Sequence, residues 1–333
     1  MDVEPCSSDT MFRLKVVLIQ ICIAFLISLF LLNCSEDDEI SALDRNTSRI
    51  LEESDVKRDA GDPNSTVKSN TPSSPSKPKE FKSGLSSIQK VQSILVRANP
   101  NYQGQGKFHQ DNGVIVAAEL PNCGLRDLSP LRNLKLQALD LSGNPVREIR
   151  HLKDMPLRTL FLENTQVENL RDLKNAKLME LRLNNSPIQT LQGLEGQPLE
   201  NLYAVGTQIT EVSPIRSSNL KQLWLSESPV SDVSGLAGLP LVSLTLHRTL
   251  VEDLNFVRQL PVLQRLHIGD TLIEDLTPLA GLNLTRLVFT PSRIKRGLNV
   301  ARSLYGLREI GTTFDNSGRD ISSPEVFWAK FSQ

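Results

Sequence analysis

The sequence predicts an α/β repeat solenoid, a horseshoe with a parallel concave sheet, short helical or 3-10 turns on the convex side, and helical caps. Two observations carry this prediction. Apolar residues, mostly leucine, recur every 21 residues from Ile115 onward, and each repeat contains an alternating Leu-x-Leu segment typical of a strand. Aromatic residues make up only 5% of the chain, as expected for a core built mainly from one aliphatic side chain.

Nine units can be aligned on their first apolar residue, with one spacing of 22 residues between Leu241 and Leu263. Each unit reads L-x-x-L-x-L, then a small residue, then an aliphatic residue two positions further on. This is the leucine-rich-repeat signature. The nine units occupy residues 115–296 and begin at Ile115, Leu136, Leu157, Leu178, Leu199, Leu220, Leu241, Leu263 and Leu284.

The small residue of each unit is expected to hydrogen-bond the backbone of a tight inward turn. Such residues form a ladder along the solenoid, and Cys123 is interpreted as a member of this ladder rather than as a nucleophile. The nine positions are Cys123, Asn144, Thr165, Ser186, Thr207, Ser228, Thr249, Thr271 and Ser292.

The return path of each unit is too short for a full helix. Segments 127–131 and 275–279 read D-L-[ST]-P-L, which indicates one short helical turn. Ser or Thr is expected to cap this turn and Pro to take its first position, where the missing N–H costs nothing. These returns closely resemble the short repeats of internalin-like bacterial surface proteins, and the resemblance implies a solenoid of the same kind.

Two caps are predicted to close the solenoid, over residues 84–114 and 297–333. Residues 86–98 carry apolar side chains at helical spacing, and a hairpin is expected around Asp111-Asn112-Gly113. Residues 298–307 are expected to form a helix.

Two segments in these caps carry a second resemblance. NPNYQG at 99–104 and SPEVFWAKF at 323–331 are similar to modules of environmental bacteria, in some of which similar repeats follow a serine/threonine kinase domain. The resemblance covers residues 84–333. No kinase motif is present in the chain, so kinase activity is not implied.

Residues 1–34 predict a signal peptide or a membrane anchor. Residues 16–32 are almost wholly apolar, with basic residues before them and acidic residues after them, which places the rest of the chain outside the cytoplasm, in the periplasm or at the cell surface. The run ends in LLNC, which resembles a bacterial lipobox and implies lipidation of Cys34. A lipoprotein, an uncleaved transmembrane anchor and a secreted chain remain alternatives, with translation starting at Met1 or Met11.

Residues 35–83 predict a disordered tether. They contain few large apolar residues and end in a stretch rich in Ser, Pro and Lys. Such a composition cannot bury enough surface to offset the conformational entropy lost on folding. Of the four cysteines, only Cys123 lies beyond the tether, so no disulfide is expected within the folded part.

The concave face is the predicted binding surface. The fifth residue of each unit projects from it, and this column reads Glu119, Asp140, Phe161, Arg182, Tyr203, Trp224, Thr245, His267 and Val288. Because exposed Trp, Tyr and Arg dominate binding hot spots, the candidate partner-binding residues are Phe161, Arg182, Tyr203, Trp224, His247 and His267. In the alternative interpretation, these rings only cover the sheet and stack on one another. Acidic residues towards one end and basic residues towards the other would orient a partner of opposite polarity.

No enzymatic, metal or cofactor chemistry is predicted. The chain lacks C-x-x-C, H-E-x-x-H, P-loop and G-x-S-x-G motifs, and His247 and His267 have no third metal ligand at a persuasive spacing. A net charge of -1 gives no signal for nucleic acid. We therefore predict a membrane-tethered binding module for a protein ligand, or for a glycan. The alternatives are a passive spacer of the cell envelope and an accessory sensor of a kinase pathway.

Overall fold

The computed structural model describes residues 87–312 and 320–331, and in these ranges the predicted solenoid is confirmed. One sheet of eleven strands follows the chain in order, with β1 antiparallel to β2 and every later pair parallel. The strands are β1 (Lys107–Asp111), β2 (Val114–Glu119), β3 (Ala138–Asp140), β4 (Thr159–Phe161), β5 (Glu180–Arg182), β6 (Asn201–Tyr203), β7 (Gln222–Trp224), β8 (Ser243–Thr245), β9 (Arg265–Ile268), β10 (Arg286–Phe289) and β11 (Glu309–Gly311).

The predicted signal or anchor segment 1–34, with Cys34, and the predicted tether 35–83 lie outside the described residues. Within residues 87–312 and 320–331, none of the helices has the length and apolar character needed to cross a membrane.

The repeated leucines form the core because the sheet register advances by one whole unit at each step. Leu160, for example, pairs with the equivalent leucine on each neighbouring strand, and Leu160 and Leu162 are both fully buried. Burial of one such side chain stabilises the fold by about 1.5–3 kcal/mol. The solenoid therefore rests on one continuous aliphatic core.

Short 3-10 turns on the return paths confirm the prediction of minimal convex structure. They span Ser129–Leu131, Arg150–Leu152, Arg171–Leu173, Ser213–Ile215, Ser234–Leu236, Asn255–Gln259 and Thr277–Leu279. The predicted capping was wrong, because Leu128 occupies the N-cap position of the first turn and its side chain makes no capping hydrogen bond. Asp127, one residue earlier, accepts a hydrogen bond at its Oδ1 from the Ser129 N–H at 2.8 Å. Ser129 is itself the first residue of the turn, so Pro130 occupies the second position.

The inward ladder is confirmed in most units. The side chain of the small residue donates to the carbonyl three residues earlier at Asn144, Thr165, Thr207, Ser228, Thr249 and Thr271. Ser186 donates instead to Leu162 O of the preceding unit, at 2.6 Å. Cys123 occupies the ladder position and is buried, but its Sγ lies 3.4 Å from Pro121 O, two residues earlier rather than three.

Ser292 was wrongly assigned to the ladder, since it is exposed within a 3-10 turn at Pro291–Arg293. The residue just before the ladder position has a positive φ in the eight earlier units, at 53° in Asn122 and 67° in Gly206, for example. Proline fixes φ near −65°, so Pro291 cannot adopt this conformation and the inward turn does not form.

The N-terminal cap agrees with its prediction. Helix α1 (Ser87–Ala98) buries Val91 and Leu95, whereas Ile94 is exposed. Strands β1 and β2 are joined by Asn112 and Gly113, both with positive φ, as a tight two-residue hairpin requires.

The C-terminal cap differs from its prediction. The expected helix over 298–307 is only the short α2 (Leu298–Arg302), because the chain then enters a tenth, unpredicted unit. Leu307 begins this unit and β11 follows it, but the spacing from Leu284 is 23 residues and conceals the repeat. Helix α3 (Pro324–Lys330) closes the end by burying Phe327, whose ring centroid lies 6.0 Å from that of Phe289.

Candidate partner-binding face

The column of fifth residues lies in register across the sheet, as predicted. Phe161 pairs with Arg182, Arg182 with Tyr203, and Tyr203 with Trp224 on successive strands. These four side chains are partly buried rather than freely exposed. The predicted exposure fails at the C-terminal end of the column, where His267 is 7% exposed and Val288 is 1% exposed.

Four of the predicted residues form one continuous stack, which we call the concave stack: Phe161, Arg182, Tyr203 and Trp224. The Arg182 Cζ lies 4.5 Å from the centroid of the Phe161 ring and 5.1 Å from that of Tyr203. The Tyr203 and Trp224 rings meet edge to face, with centroids 5.2 Å apart and planes at 77°. Each cation–π contact contributes about 0.5–2 kcal/mol. The side chains of the concave stack therefore contact one another across the sheet, as the alternative interpretation expected.

Glu180 holds the guanidinium of Arg182 in this stack. Its Oε1 accepts a hydrogen bond from Arg182 Nε at 2.9 Å and lies 2.9 Å from Nη2 in an ion pair. The side chains of Glu180 and Arg182 are only 14% and 16% exposed. Glu180 is the third residue of its unit. Alternate residues of a strand point to the same face of a sheet, so the third, fifth and seventh residues of a unit all lie on the concave face. The fifth position alone therefore could not identify this contact.

Burial changes the ionisation of two further groups on the face. It raises the pKa of Tyr203, whose hydroxyl donates to Gln222 Oε1 at 3.3 Å. Burial is also the main cause that raises the pKa of Glu163, whose Oε1 accepts from Asn184 Nδ2 at 2.6 Å. The Trp224 indole N–H is buried with no hydrogen-bond partner within the described ranges, so packing alone holds that ring.

His247 lies two residues beyond Thr245, the registered neighbour of His267, so the two histidines are diagonal to each other and their rings stack. Their ring centroids lie 4.8 Å apart with planes at 25°. His247 Nδ1 lies 3.0 Å from Gly269 O, within hydrogen-bond distance. Burial, aided by His247, lowers the pKa of His267 to about 3, so His267 is neutral at physiological pH.

Gly269 leaves room for this pair beside the C-terminal cap. A Cβ on Gly269 would lie 3.1 Å from His267 Nε2 and 3.3 Å from Thr312 O, so the segment after β11 approaches the sheet here. In the part of the chain that the structure describes, no three His, Cys, Asp or Glu residues group as a metal site would require.

Comparison with solved structures gives the same architecture. Internalin C2 of Listeria monocytogenes matches with a TM-score of 0.52 and 27% sequence identity, covering 54% of this chain and 82% of that one. The described chain is an internalin-like leucine-rich-repeat solenoid. Listeria monocytogenes internalin F gives a TM-score of 0.49 at 21% identity, covering 67% of this chain and 73% of its own. A leucine-rich-repeat protein of Leptospira interrogans gives 0.45 at 24% identity, covering 56% and 51%.

No family model matches the sequence, and no curated protein matches it. The internalin-like assignment therefore rests on the repeat pattern and on the shared solenoid geometry. The repeat signature, the parallel sheet and the short 3-10 returns all agree with it.

Proposed function

We propose that this protein is a membrane-tethered binding module that recognises a protein partner through the concave face of its solenoid, outside the cytoplasm. The concave stack is the observation that carries the proposal. It places three aromatic rings and one guanidinium in contact across four adjacent strands. These are the residue types that contribute most to the free energy of protein binding.

The stack is also held rigid before any partner arrives. Arg182 is fixed by Glu180 and by the rings on both sides, and Tyr203 is fixed by Gln222 and Trp224. Ordering a free side chain on binding costs about 0.5–1.5 kcal/mol, a cost that such a surface largely avoids. His247, beside the stack, is assigned to its edge. His267 is assigned the role of supporting His247 because it is itself buried.

The decisive test is the double substitution Tyr203→Ala and Trp224→Ala in the full chain. Crosslinking and pulldown from the envelope fraction should recover a partner with the unsubstituted protein and lose it with the variant. Thr245→Ala, in the same column, is the matched control and should retain the partner. Circular dichroism and thermal melting of both variants separate lost contact from lost folding.

A passive spacer of the cell envelope is the second candidate, because the rings of the stack already contact one another. It predicts that the double variant behaves like the unsubstituted protein, whereas deletion of residues 35–83 or of one whole repeat causes a defect. Full recovery of the partner by the double variant would exclude the concave stack as the binding surface. Destruction of the captured material by glycosidase but not by protease would indicate a glycan ligand.

The proposed tether depends on residues 1–34, and Cys34 is the residue assigned to lipidation. Palmitate labelling that globomycin inhibits, and that Cys34→Ala abolishes, is expected for a lipoprotein. Absence of labelling with retention in the membrane fraction would indicate an uncleaved anchor, and release into the medium would indicate a secreted chain.

A further inference from the structure

The N-terminal half of the concave face carries an excess of negative charge. Strands β2 to β5, with the seventh residue of the β4 unit, present four carboxylates and one guanidinium, so the net charge is −4 + 1 = −3. The carboxylates belong to Glu119, Asp140, Glu163 and Glu180, and the guanidinium to Arg182.

Two of these carboxylates accept hydrogen bonds from uncharged donors. Asp140 Oδ1 accepts from the backbone N–H of Ser142 at 2.9 Å, and Glu163 Oε1 accepts from the Asn184 amide. By contrast, Glu180 forms an ion pair with Arg182. Glu119 contacts His109 Nε2 at 2.7 Å, which neutralises it only when that histidine is protonated.

Burial raises the pKa of Glu163, because the nearby positive charge is not enough to compensate for desolvation of the carboxylate. Desolvation is the largest cause of its raised pKa, and the nearby charges of Asp140 and Glu180 add to it. Arg182 and the Asn184 amide lower the pKa but do not cancel the rise. An additional cation beside Glu163 would favour its ionised form.

The geometry of the stack shows where such a cation would lie. Phe161 has Arg182 against its ring on the β5 side, and on the β3 side its registered neighbour is Asp140. Arg182 therefore lies between the rings of Phe161 and Tyr203, whereas the other neighbour of Phe161 is a carboxylate. A second cation on the β3 side of the ring, at a similar distance, would lie about 9 Å from Arg182. Because Glu180 already pairs with Arg182, the repulsion between the two cations would be weakened.

We propose that the surface formed by Phe161, Asp140 and Glu163 binds an arginine or lysine side chain of an extended basic segment in a polypeptide partner. The cation would stack on the Phe161 ring and pair with the two carboxylates. This inference rests on the proposed function and specifies the chemistry of the partner at one end of the concave stack.

The probe is a pair of fluorescein-labelled ten-residue peptides, tested with the full chain by fluorescence anisotropy. One alternates arginine and serine around a central tyrosine, and the other has glutamate at every arginine. We expect the basic peptide to bind more than about tenfold more tightly at low salt, and its affinity to fall as salt rises. Equal affinities, or no binding of either peptide at millimolar concentration, would overturn the proposal.

The double variant Asp140→Asn, Glu163→Gln removes both charges but keeps both hydrogen-bond acceptors. Loss of two partly exposed ion pairs should weaken binding of the basic peptide on the order of fivefold or more. The matched control Glu168→Gln, Glu252→Gln removes two exposed charges outside the sheet and should bind as the unsubstituted protein does. An equal loss in the control would show that only net charge matters, and would contradict the proposal.

The two proposals can fail separately. If Tyr203→Ala, Trp224→Ala abolishes capture of the natural partner while Asp140→Asn, Glu163→Gln leaves it unchanged, the binding function stands and the basic partner is wrong. If neither double variant affects capture, both proposals fall.

Discussion

At the residue scale, one backbone position accounts for much of the local chemistry of the solenoid. The residue before the ladder position has a positive φ in eight consecutive units, where it is Asn, Gly, Glu, Arg or Asp. Glycine, asparagine and aspartate tolerate this conformation, whereas for other residues it costs about 1–2 kcal/mol. Glu227 and Arg248 therefore store strain at φ 58° and 54°, offset only in part by their exposed ion pair.

Glu227→Asn should therefore stabilise the protein, by about 0.5 kcal/mol after loss of the ion pair with Arg248. Urea denaturation at neutral pH measures this change through its midpoint. Glu252→Asn, at an exposed position with negative φ, is the control and should give no gain. Equal effects of the two substitutions would argue against backbone strain at residue 227.

The pKa of His267 predicts a loss of stability in acid. Because the pKa is about 3 in the folded protein and 6.5 ordinarily, the unfolded chain binds a proton in this interval and the folded chain does not. Stability should therefore fall as the pH falls from 6.5 towards 3. His267→Phe keeps a ring against His247 but cannot be protonated, so thermal melting at pH 7 and pH 4 should show a smaller decrease for this variant. His151→Gln, on the convex side, should retain the full decrease.

Glu163→Gln should stabilise the protein at neutral pH rather than in acid. Because the folded pKa of Glu163 is raised above its ordinary 4.5, ionisation of this residue penalises folding at neutral pH. The variant should melt at a higher temperature at pH 7, and this advantage should vanish as the pH falls through the folded pKa. If binding of the basic peptide weakens while stability rises, the carboxylate is retained for function at the expense of stability. A variant that is less stable at pH 7 would contradict the burial of an undercompensated charge.

At the element scale, the return path of the fourth unit, which begins at Leu178, differs from those of its neighbours. It has no 3-10 turn among the described residues, although the Leu194 N–H still donates to Leu191 O at 3.1 Å. A buried Gln197 adds further hydrogen bonds by donating to Leu173 O and Gly193 O and accepting from Leu178 N. Gly193 has a φ of +101°, and a Cβ there would lie 2.3 Å from Leu170 O. The chain can pass so close to the preceding unit only because this residue has no side chain.

Gly193→Ala should destabilise the protein by about 3 kcal/mol, since strain at positive φ and a clash with backbone both oppose it. Gly196→Ala in the same unit is the matched control: its φ is +70°, but no atom lies within 4 Å of a Cβ there. That variant should lose only about 1 kcal/mol. Denaturation midpoints of the two variants give the difference, and equal losses would show that the close approach to Leu170 is relaxed easily.

At the scale of the whole molecule, each unit is stabilised by its two neighbours, so the ends depend on their caps. At the C-terminal end, α3 covers the last strands through Phe327, which is 3% exposed and packs near Phe289, Trp328 and Phe331. Without this helix, the final units would expose one side of the aliphatic core to water.

Phe327→Ala should cost about 3–5 kcal/mol, the usual effect of removing a buried phenyl ring. Because coupling is between neighbours, hydrogen exchange should accelerate first in β10 and β11 while β6 remains protected. The exposed Val326→Ala should change neither quantity by more than about 0.5 kcal/mol. Uniform loss of protection along the solenoid would instead indicate a single cooperative unit.

The repeat period was enough to predict the architecture and the order of the concave residues. A constant spacing of 21 residues stacks parallel strands in register, so contact among Phe161, Arg182, Tyr203 and Trp224 follows from their shared position in the unit. The tenth unit was not predicted, because Leu307 lies 23 residues after Leu284 and so falls outside the 21-residue period. The loss of the inward turn at Pro291 depends on one residue that cannot adopt a positive φ.

Other features depend on contacts between segments that share no pattern. His267 is buried near the non-repeating segment after β11, and the pKa of Glu163 is raised because its burial outweighs the nearby charge of Arg182. Periodicity specifies which face a side chain occupies, because that depends on local backbone geometry alone. The exposure of a side chain and the charges around it depend on residues that are distant in sequence. Only the folded chain brings those residues together.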